Sequence, residues 1–449
     1  MFQSLKGYIR RILPGSYLKV FQHFKAAILK LRSRIKISRS NKALQNSCLS
    51  NFLIPNLEKR FFLRTADYLA LCSGQILASE NKLLHFSVPE YWNSASGNKV
   101  RNDYRMSSKM LVSHDFVLRN VIIIGESNLV LVGKDKVIYE LVNYDSKKKF
   151  RYTDFGIRDY NSFCCLVDKN PVNIVFEQGV KLSANYSWNY YHVVFEVIAR
   201  FYKIEKLGID RKIPLIIDEI CLEIPQFKQL IELFNEDKRP IIAVKKGVKY
   251  LVNKLYFFSD LNIIPPNYEK NAVISPQDTL FDLDSLRYLR SKLLAKLAPG
   301  NYPDRIFLSR KNASSRRKYN EEEVFQILEK FGFKKICPEA YSVLEQIAIF
   351  NQASHIIGVT GAAFSNILFC KPTAKVLCIT NYNISISIFS TIAHFVGLEF
   401  YYLAASESFL SSSNDIHDDF TVDCFSLKNY LNLNLPEFSN TVDNRHKLL

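Results

Sequence analysis

His192 and Glu196 stand four residues apart in the run Asn189 to Arg200. On a helix that spacing brings both side chains to one face. A carboxylate beside an imidazole fixes its tautomer, and the other ring nitrogen can then serve as a general base within about 3 Å of a hydroxyl. The same spacing equally suits an ordinary ion pair in a structural helix, and the residue types leave both readings open. A second cluster holds Arg305, Ser309, Arg310, Arg316, Arg317, Asn320 and Glu321. Here basic side chains fill a loop between an apolar strand and a helix start, where free N–H groups, the helix dipole and guanidinium forks together favour a phosphate. The competing reading is a solvated basic loop. A third run, His355 to Asn366, ends a strand in Gly358 and passes through Thr360, Gly361 and Ala362. Small residues there admit a ligand close to the backbone, although the spacing is not GxGxxG and a packing turn looks the same.

The frame for these clusters is an α/β pattern. Between Phe86 and Tyr152 the β-branched runs Val121 to Ile124, Leu129 to Val132 and Val137 to Val142 are separated by turn residues, which predicts a small antiparallel unit. From Val172 onward strands alternate with amphipathic helices, as in parallel sheets with crossover helices. The strands expected there are Val172 to Phe176, Pro214 to Ile217 and Ile241 to Val244, with helices over Tyr191 to Tyr202 and Gln226 to Phe234. After a helix over Leu283 to Leu297 and the break Ala298 to Asn301, the order is strand Ile306 to Leu308, helix Glu321 to Phe331, strand Phe333 to Cys337, helix Val343 to Gln352, strand His355 to Val359, helix Ala363 to Phe369 and strand Lys375 to Ile379. Asn320 with Glu323 and Ser342 with Glu345 have capping-box spacing, and Gly332 is placed to end its helix. Asp282-Leu283-Asp284 has the spacing of a metal-binding DxD triplet. It directly precedes a helix, however, so Asp282 is expected to be an N-cap and no metal site is assigned.

The 449 residues carry 60 Lys and Arg against 43 Asp and Glu, with 48% hydrophobic residues, which excludes a disordered or low-complexity chain. Eleven of the basic residues precede Glu58, where no acidic residue occurs, leaving 49 basic against 43 acidic over the remaining 392. The charge therefore belongs largely to an arm over residues 1–57. Phe21, Phe24, Ile28, Leu31 and Ile35 form a helical apolar stripe among Lys25, Lys30, Arg32, Arg34 and Lys36, after a break and N-cap at Pro14, Gly15 and Ser16. Such a helix suits an anionic membrane surface, through residues 16–40; a helix packed on its own domain or a nucleic-acid arm are the other readings. No apolar run reaches the roughly 20 residues of a membrane span: the longest uncharged stretch, Val376 to Leu398, is interrupted by Asn and His and reads as strand, loop and helix. With no signal-peptide pattern and nine unpatterned cysteines, a cytoplasmic, peripherally membrane-associated protein is expected.

Three separated runs, NYYHVVFEVIAR, RIFLSRKNASSRRKYNEEEVFQILEKFGF and YSVLEQIAIFNQASHIIGVTGAAFSNILF, lie in order between Asn185 and Ile379 and together resemble glycosyltransferase family 61. The resemblance implies a GT-B architecture of two Rossmann-like lobes facing a cleft, residues 58–298 on the acceptor side and 299–405 on the donor side, with a tail over 406–449. It implies inverting transfer from a nucleotide-sugar donor to a glycan or lipid-linked acceptor in polysaccharide biosynthesis, with neither metal nor cofactor. His192 and Glu196 carry over as the catalytic pair. Arg305, Ser309, Arg310, Arg316, Arg317, Asn320 and Glu321, the pair Glu345 and Gln346, and Gly358, Thr360, Gly361, Ala362 and Asn366 carry over as donor-binding. Val193 replaces the usual Trp, and Thr360 stands where many members have His, so the base falls to His192. A non-enzymatic basic protein binding membrane or RNA is the alternative; arginines gathered at one strand-to-helix corner, rather than spread along a face, speak against nucleic acid.

Overall fold

The computed structural model describes residues 56–64, 75–92, 106–265, 267–269, 272–312, 317–380, 387–405 and 419–436. The basic arm up to residue 55, Arg316, and residues 406–418 and 437–449 of the tail lie outside the described residues. Among those described, eleven strands form one mixed sheet: β1 (Leu57–Leu63), β2 (Gln75–Phe86), β3 (Ser107–Ile124), β4 (Val130–Val132), β5 (Lys136–Ile138), β6 (Asp159–Tyr160), β7 (Cys164–Asp168), β8 (Ile174–Lys181), β9 (Leu215–Asp218), β10 (Ile241–Val244) and β11 (Lys249–Phe258). Five more, β12 (Arg305–Leu308), β13 (Lys334–Ile336), β14 (His355–Val359), β15 (Lys375–Thr380) and β16 (Glu399–Ala404), form a second. No described helix is long and apolar enough to cross a membrane.

The second sheet is parallel throughout, in the order β13-β12-β14-β15-β16. The chain moves from β12 to β13, then returns across β12 to β14. The direction reverses between β12 and β14, and ligands in open α/β sheets bind beyond the carboxyl ends of strands at such a reversal. Local signals set its helices. Ser342 and Glu345 form the expected capping box, and Gly332 follows its helix with φ 78°. The unit extends past residue 405. The helix Cys424–Asn434 buries Leu427, Tyr430 and Leu431 in the same cluster as Val324, Leu328 and Leu403, so residues 419–436 complete this core.

The first sheet departs from the expected plan. The antiparallel unit is not a separate scaffold: β3 pairs antiparallel with β11, which pairs parallel with β8, so the β-rich and αβ parts form one sheet. Parallel pairing is confined to β10, β9, β8 and β11 and to the pair β1 and β5. Buried residues of β3, β4, β5, β9, β10 and β11 share one cluster, so the antiparallel and parallel strands have a core in common. The six consecutive residues Ser113 to Leu118 are all buried, which erases the alternation by which half-buried strands are recognised.

Between β8 and β9 runs the helical segment that carries His192. It is α-helical over Tyr190–His192, a π-helix over Val193–Val197, 3₁₀ over Ile198–Arg200 and α-helical again over Phe201–Lys206. Its far end is pinned by Lys203, whose ammonium donates to Asp115 at 2.8 Å and Glu80 at 3.0 Å; Lys203 and Asp115 are both 1% exposed. Lys203→Met should leave Asp115 buried without a counter-charge and lower stability by about 3–5 kcal/mol in urea unfolding. Burial alone would raise the Glu80 carboxyl, but hydrogen bonds from Lys203 and Lys206 override it and hold Glu80 at about 2 against an ordinary 4.5. A depressed carboxyl contributes stability above its unfolded value and loses it as pH falls toward the folded one. Stability should therefore decline between about pH 4.5 and 2, and less so in Glu80→Gln, which urea midpoints across that range would measure.

Candidate functional site

The loop after β8 is organised by one buried carboxylate. Asp218, at the end of β9, accepts from Glu126 N at 2.7 Å, Ala184 N at 2.9 Å and the hydroxyls of Ser183 and Ser187. Held in this way, residues 183–187 present Tyr186 with φ 61°, a left-handed conformation costing a bulky side chain of order 1–3 kcal/mol. Its ring stacks on His192 with centroids 5.2 Å apart and 27° between planes. His192 Nδ1 lies 2.8 Å from Glu196 Oε1. An ionised carboxylate only accepts, so Nδ1 carries the proton and Nε2 keeps its lone pair.

A narrow cavity beyond the carboxyl ends of β8 and β11 has Lys181, Asn185, Tyr186, His192, Glu196 and Asp260 among its lining residues. Charges underlie it. Arg200 donates to Leu182 O at 3.2 Å and to Asp260 at 3.2 Å, and Glu140 accepts from Ser259 Oγ at 2.9 Å and from Asp260 N. Burial, with the neighbouring Asp260 charge, pushes the Glu140 carboxyl well up. Asp260 is raised by burial, with Arg200 acting against the shift. Lys181 donates to Ser127 O at 2.9 Å and to Ser183 O; burial, reinforced by Arg200, lowers it to about 8.

At the reversal point of the second sheet, β12 leads into Ser309 and Arg310 and β14 into Thr360 and Gly361. Glu321 accepts from Ser309 Oγ and, at 3.0 Å, from Arg310 N, folding the loop onto its helix. The Arg310 guanidinium lies against Gly361: a Cβ there would sit 2.7 Å from Nη1. Its Nε is buried with no hydrogen-bond partner among the described residues, and burial lowers its pKa, opposed by Tyr319 and Glu321. Arg317 donates to Thr360 O at 2.7 Å, a main-chain contact that does not depend on the residue type at 360. Gly361 leads into the 3₁₀-helix Ala362–Phe369, which buries Asn366. Asn366 donates to Gln346 at 3.1 Å and accepts from Tyr190 Oη at 2.8 Å. Tyr190 lies two residues before His192, so the two corners are mechanically joined.

Several expected residues stand elsewhere. Arg305 opens β12 instead of following it, and its guanidinium donates to Phe331 O at 3.0 Å, at the end of the sheet opposite the crevice. Asn320 does not cap through its side chain. It pairs with Glu323 at 2.7 Å and holds Val422, accepting from its N at 2.8 Å. Glu345 is an exposed cap, its carboxyl held low by Ser342. Gly358 serves packing, since a Cβ there would meet Leu308 Cβ at 2.7 Å. Asp282 caps its helix through Asp284 N and Ser285 N and pairs with Lys82 at 2.7 Å, while Asp284 turns to Arg287. The site residues absent from the sequence reading are Lys181, Tyr186, Arg200, Asp218 and Asp260. Asp218 alone had a local signal, an acid ending an apolar strand.

Residues 190–377 match the family model described as Glycosyltransferase 61. This region belongs to glycosyltransferase family 61. Comparison with curated proteins gives no match. The match supports sugar transfer, in general terms, as the activity of this region. The family-61 region begins at Tyr190 and closes within β15, so it contains the His192–Glu196 pair and both strand ends of the crevice, whereas Lys181 and Tyr186 precede it. Within it, Tyr190→Phe should leave the Asn366 amide oxygen buried without its donor and lower stability by about 1–3 kcal/mol in thermal or urea unfolding.

Proposed function

We propose that the chain is an inverting, metal-independent glycosyltransferase that moves a sugar from a nucleotide-sugar donor to a hydroxyl of a glycan or lipid-linked acceptor, in a two-lobed GT-B-like arrangement. The observation that carries this reading is the Arg310 guanidinium resting on Gly361 at the sheet reversal, linked through Asn366 and Tyr190 to a His–Glu pair. In this reading the donor diphosphate lies at the amino end of the Ala362–Phe369 helix, where free N–H groups and two guanidinium groups face it. The acceptor hydroxyl gives its proton to His192 Nε2 and its oxygen bonds to the anomeric carbon. The carbon–oxygen bond to the diphosphate breaks on the opposite face, and its electron pair leaves with the nucleotide. Glu196 stabilises the resulting imidazolium, and Arg310 and Arg317 stabilise the leaving charge, the part that a divalent ion plays in other sugar transferases.

The arm completes the proposal as a peripheral anchor on an anionic cytoplasmic membrane face. Removing residues 1–40 should release the protein from anionic vesicles in co-sedimentation, and retained binding would place the contact elsewhere.

A panel of nucleotide sugars read by thermal shift tests the donor side, because a ligand of the native state raises its melting point. Arg310→Ala should weaken the stabilising donor about ten- to hundredfold, in line with the ~1.5–3 kcal/mol of hydrogen bonds to charged groups. Unchanged affinity would remove Arg310 from the phosphate site. His192→Ala should bind donor normally and lose about 10²–10⁴ in turnover, and wild-type turnover would eliminate it as base.

A further inference from the structure

Tyr186 has two sides. One stacks on His192; on the other the chain opens into a groove of about 630 Å³, within the range of small-ligand sites. Asn185, Tyr186, Trp188, Phe155, Tyr160 and Glu269 are among its lining residues, and Asn185 and Tyr186 line the His192 cavity as well. Trp188 is 53% exposed and meets Tyr186 edge-on, with centroids 6.0 Å apart. Together with Phe155, Tyr160 and Tyr186 it gives the groove several aromatic rings in one lining.

The charges of the groove indicate which occupant. Lys246 is paired with Glu126 at 2.6 Å and lies 4.3 Å from the Phe155 ring centre. Arg158 is paired with Asp168, and the Asp154 carboxylate is taken by Ser127, Asn128 N and Gly156 N. With Arg151 the lining holds three cations, against the four acids Glu126, Asp154, Asp159 and Glu269, a balance that disfavours a polyanion. Beside Arg151 and Asp159 the groove offers aromatic face and polar edges: the Tyr186 hydroxyl near Thr153, Asn185, and Glu269 holding the Tyr160 hydroxyl. Sugars carry slightly positive C–H faces that suit the negative face of an aromatic ring, and hydroxyls that suit polar edges.

We propose that this groove is the acceptor subsite and takes an uncharged oligosaccharide, stacked on Trp188 and led past Tyr186 so that its terminal hydroxyl reaches His192. The proposal rests on the transferase reading above and adds to it the class of acceptor and the residue that grips it. It also accounts for the strained Tyr186 backbone: one ring forms the wall of both cavities and aligns the imidazole.

Two tryptophans make the test direct. Trp92 is 7% exposed within the second core, so acrylamide quenching of fluorescence in the full chain reports Trp188. Maltohexaose, xylohexaose and chitohexaose are the probes. At least one should shield the fluorescence, and inorganic phosphate should not; shielding by none of the three, or equal shielding by phosphate, overturns the proposal. For the shielding sugar, saturation-transfer NMR should show Trp188→Ala raising the dissociation constant about tenfold, with Trp188→Tyr in between. An unchanged constant in Trp188→Ala puts the sugar elsewhere and overturns it too. Shielding in a chain that no nucleotide sugar stabilises would support the groove and sink the transferase reading, whereas donor stabilisation without shielding would do the reverse.

Discussion

A phenol donating to a buried amide, Tyr190 to Asn366, is the bond on which the arrangement depends. It crosses a seam with an extended apolar core: one cluster runs from Val180 and Phe195 of the first half to Phe364 and Ile392 of the second. Apolar packing is non-directional and tolerates sliding, whereas a hydrogen bond in a low-dielectric interior fixes distance and angle. Peripheral bonds support it, with Arg290 donating to Leu368 O and Cys370 O, and Gln229 accepting from Val343 N. The imidazole and the arginine corner therefore keep their spacing through a polar clasp set in an oily joint.

The two halves reach order by different routes. The second sheet is built from short crossovers whose helices start and stop on local signals, and its ligand corner follows from strand order. The first sheet relies on buried ionic groups placed by distant strands. Asp218 organises the loop before the helical segment, Lys203 anchors the end of that segment, and Arg200 braces Asp260 beneath the cavity. Buried charges of this kind favour one geometry because each misplacement leaves an unpaired ion.

That difference explains what could be read from the chain. The second half was largely legible: Ser342 with Glu345, Gly332, and the runs His355 to Val359 and Val343 to Gln352 agree with the structure, and the i,i+4 spacing of His192 and Glu196 produces a contact at 2.8 Å. Arg305 shows the limit. It and Arg310 flank the same four-residue strand, but each strand residue advances the chain by about 3.3 Å, so the ends face opposite edges of the sheet. Asn320 was misjudged because its partner, Val422, lies a hundred residues away, beyond the reach of a local motif. The joining of both parts into one first sheet is hidden because β3 is buried on both faces through its middle. Tyr186 could not be found at all, since its backbone strain is imposed by Asp218 from another strand.

The π turn over Val193–Val197 carries one more residue than an α turn would use. The added residue is taken up within that one turn, so the stretches on either side keep close to the register of an uninterrupted helix. His192 therefore holds its station over the cavity while Lys203 keeps its seat beside Asp115. The bracing at the two ends fixes the register of the flanks, and the bulge between them is where this stretch can take up a change in chain length.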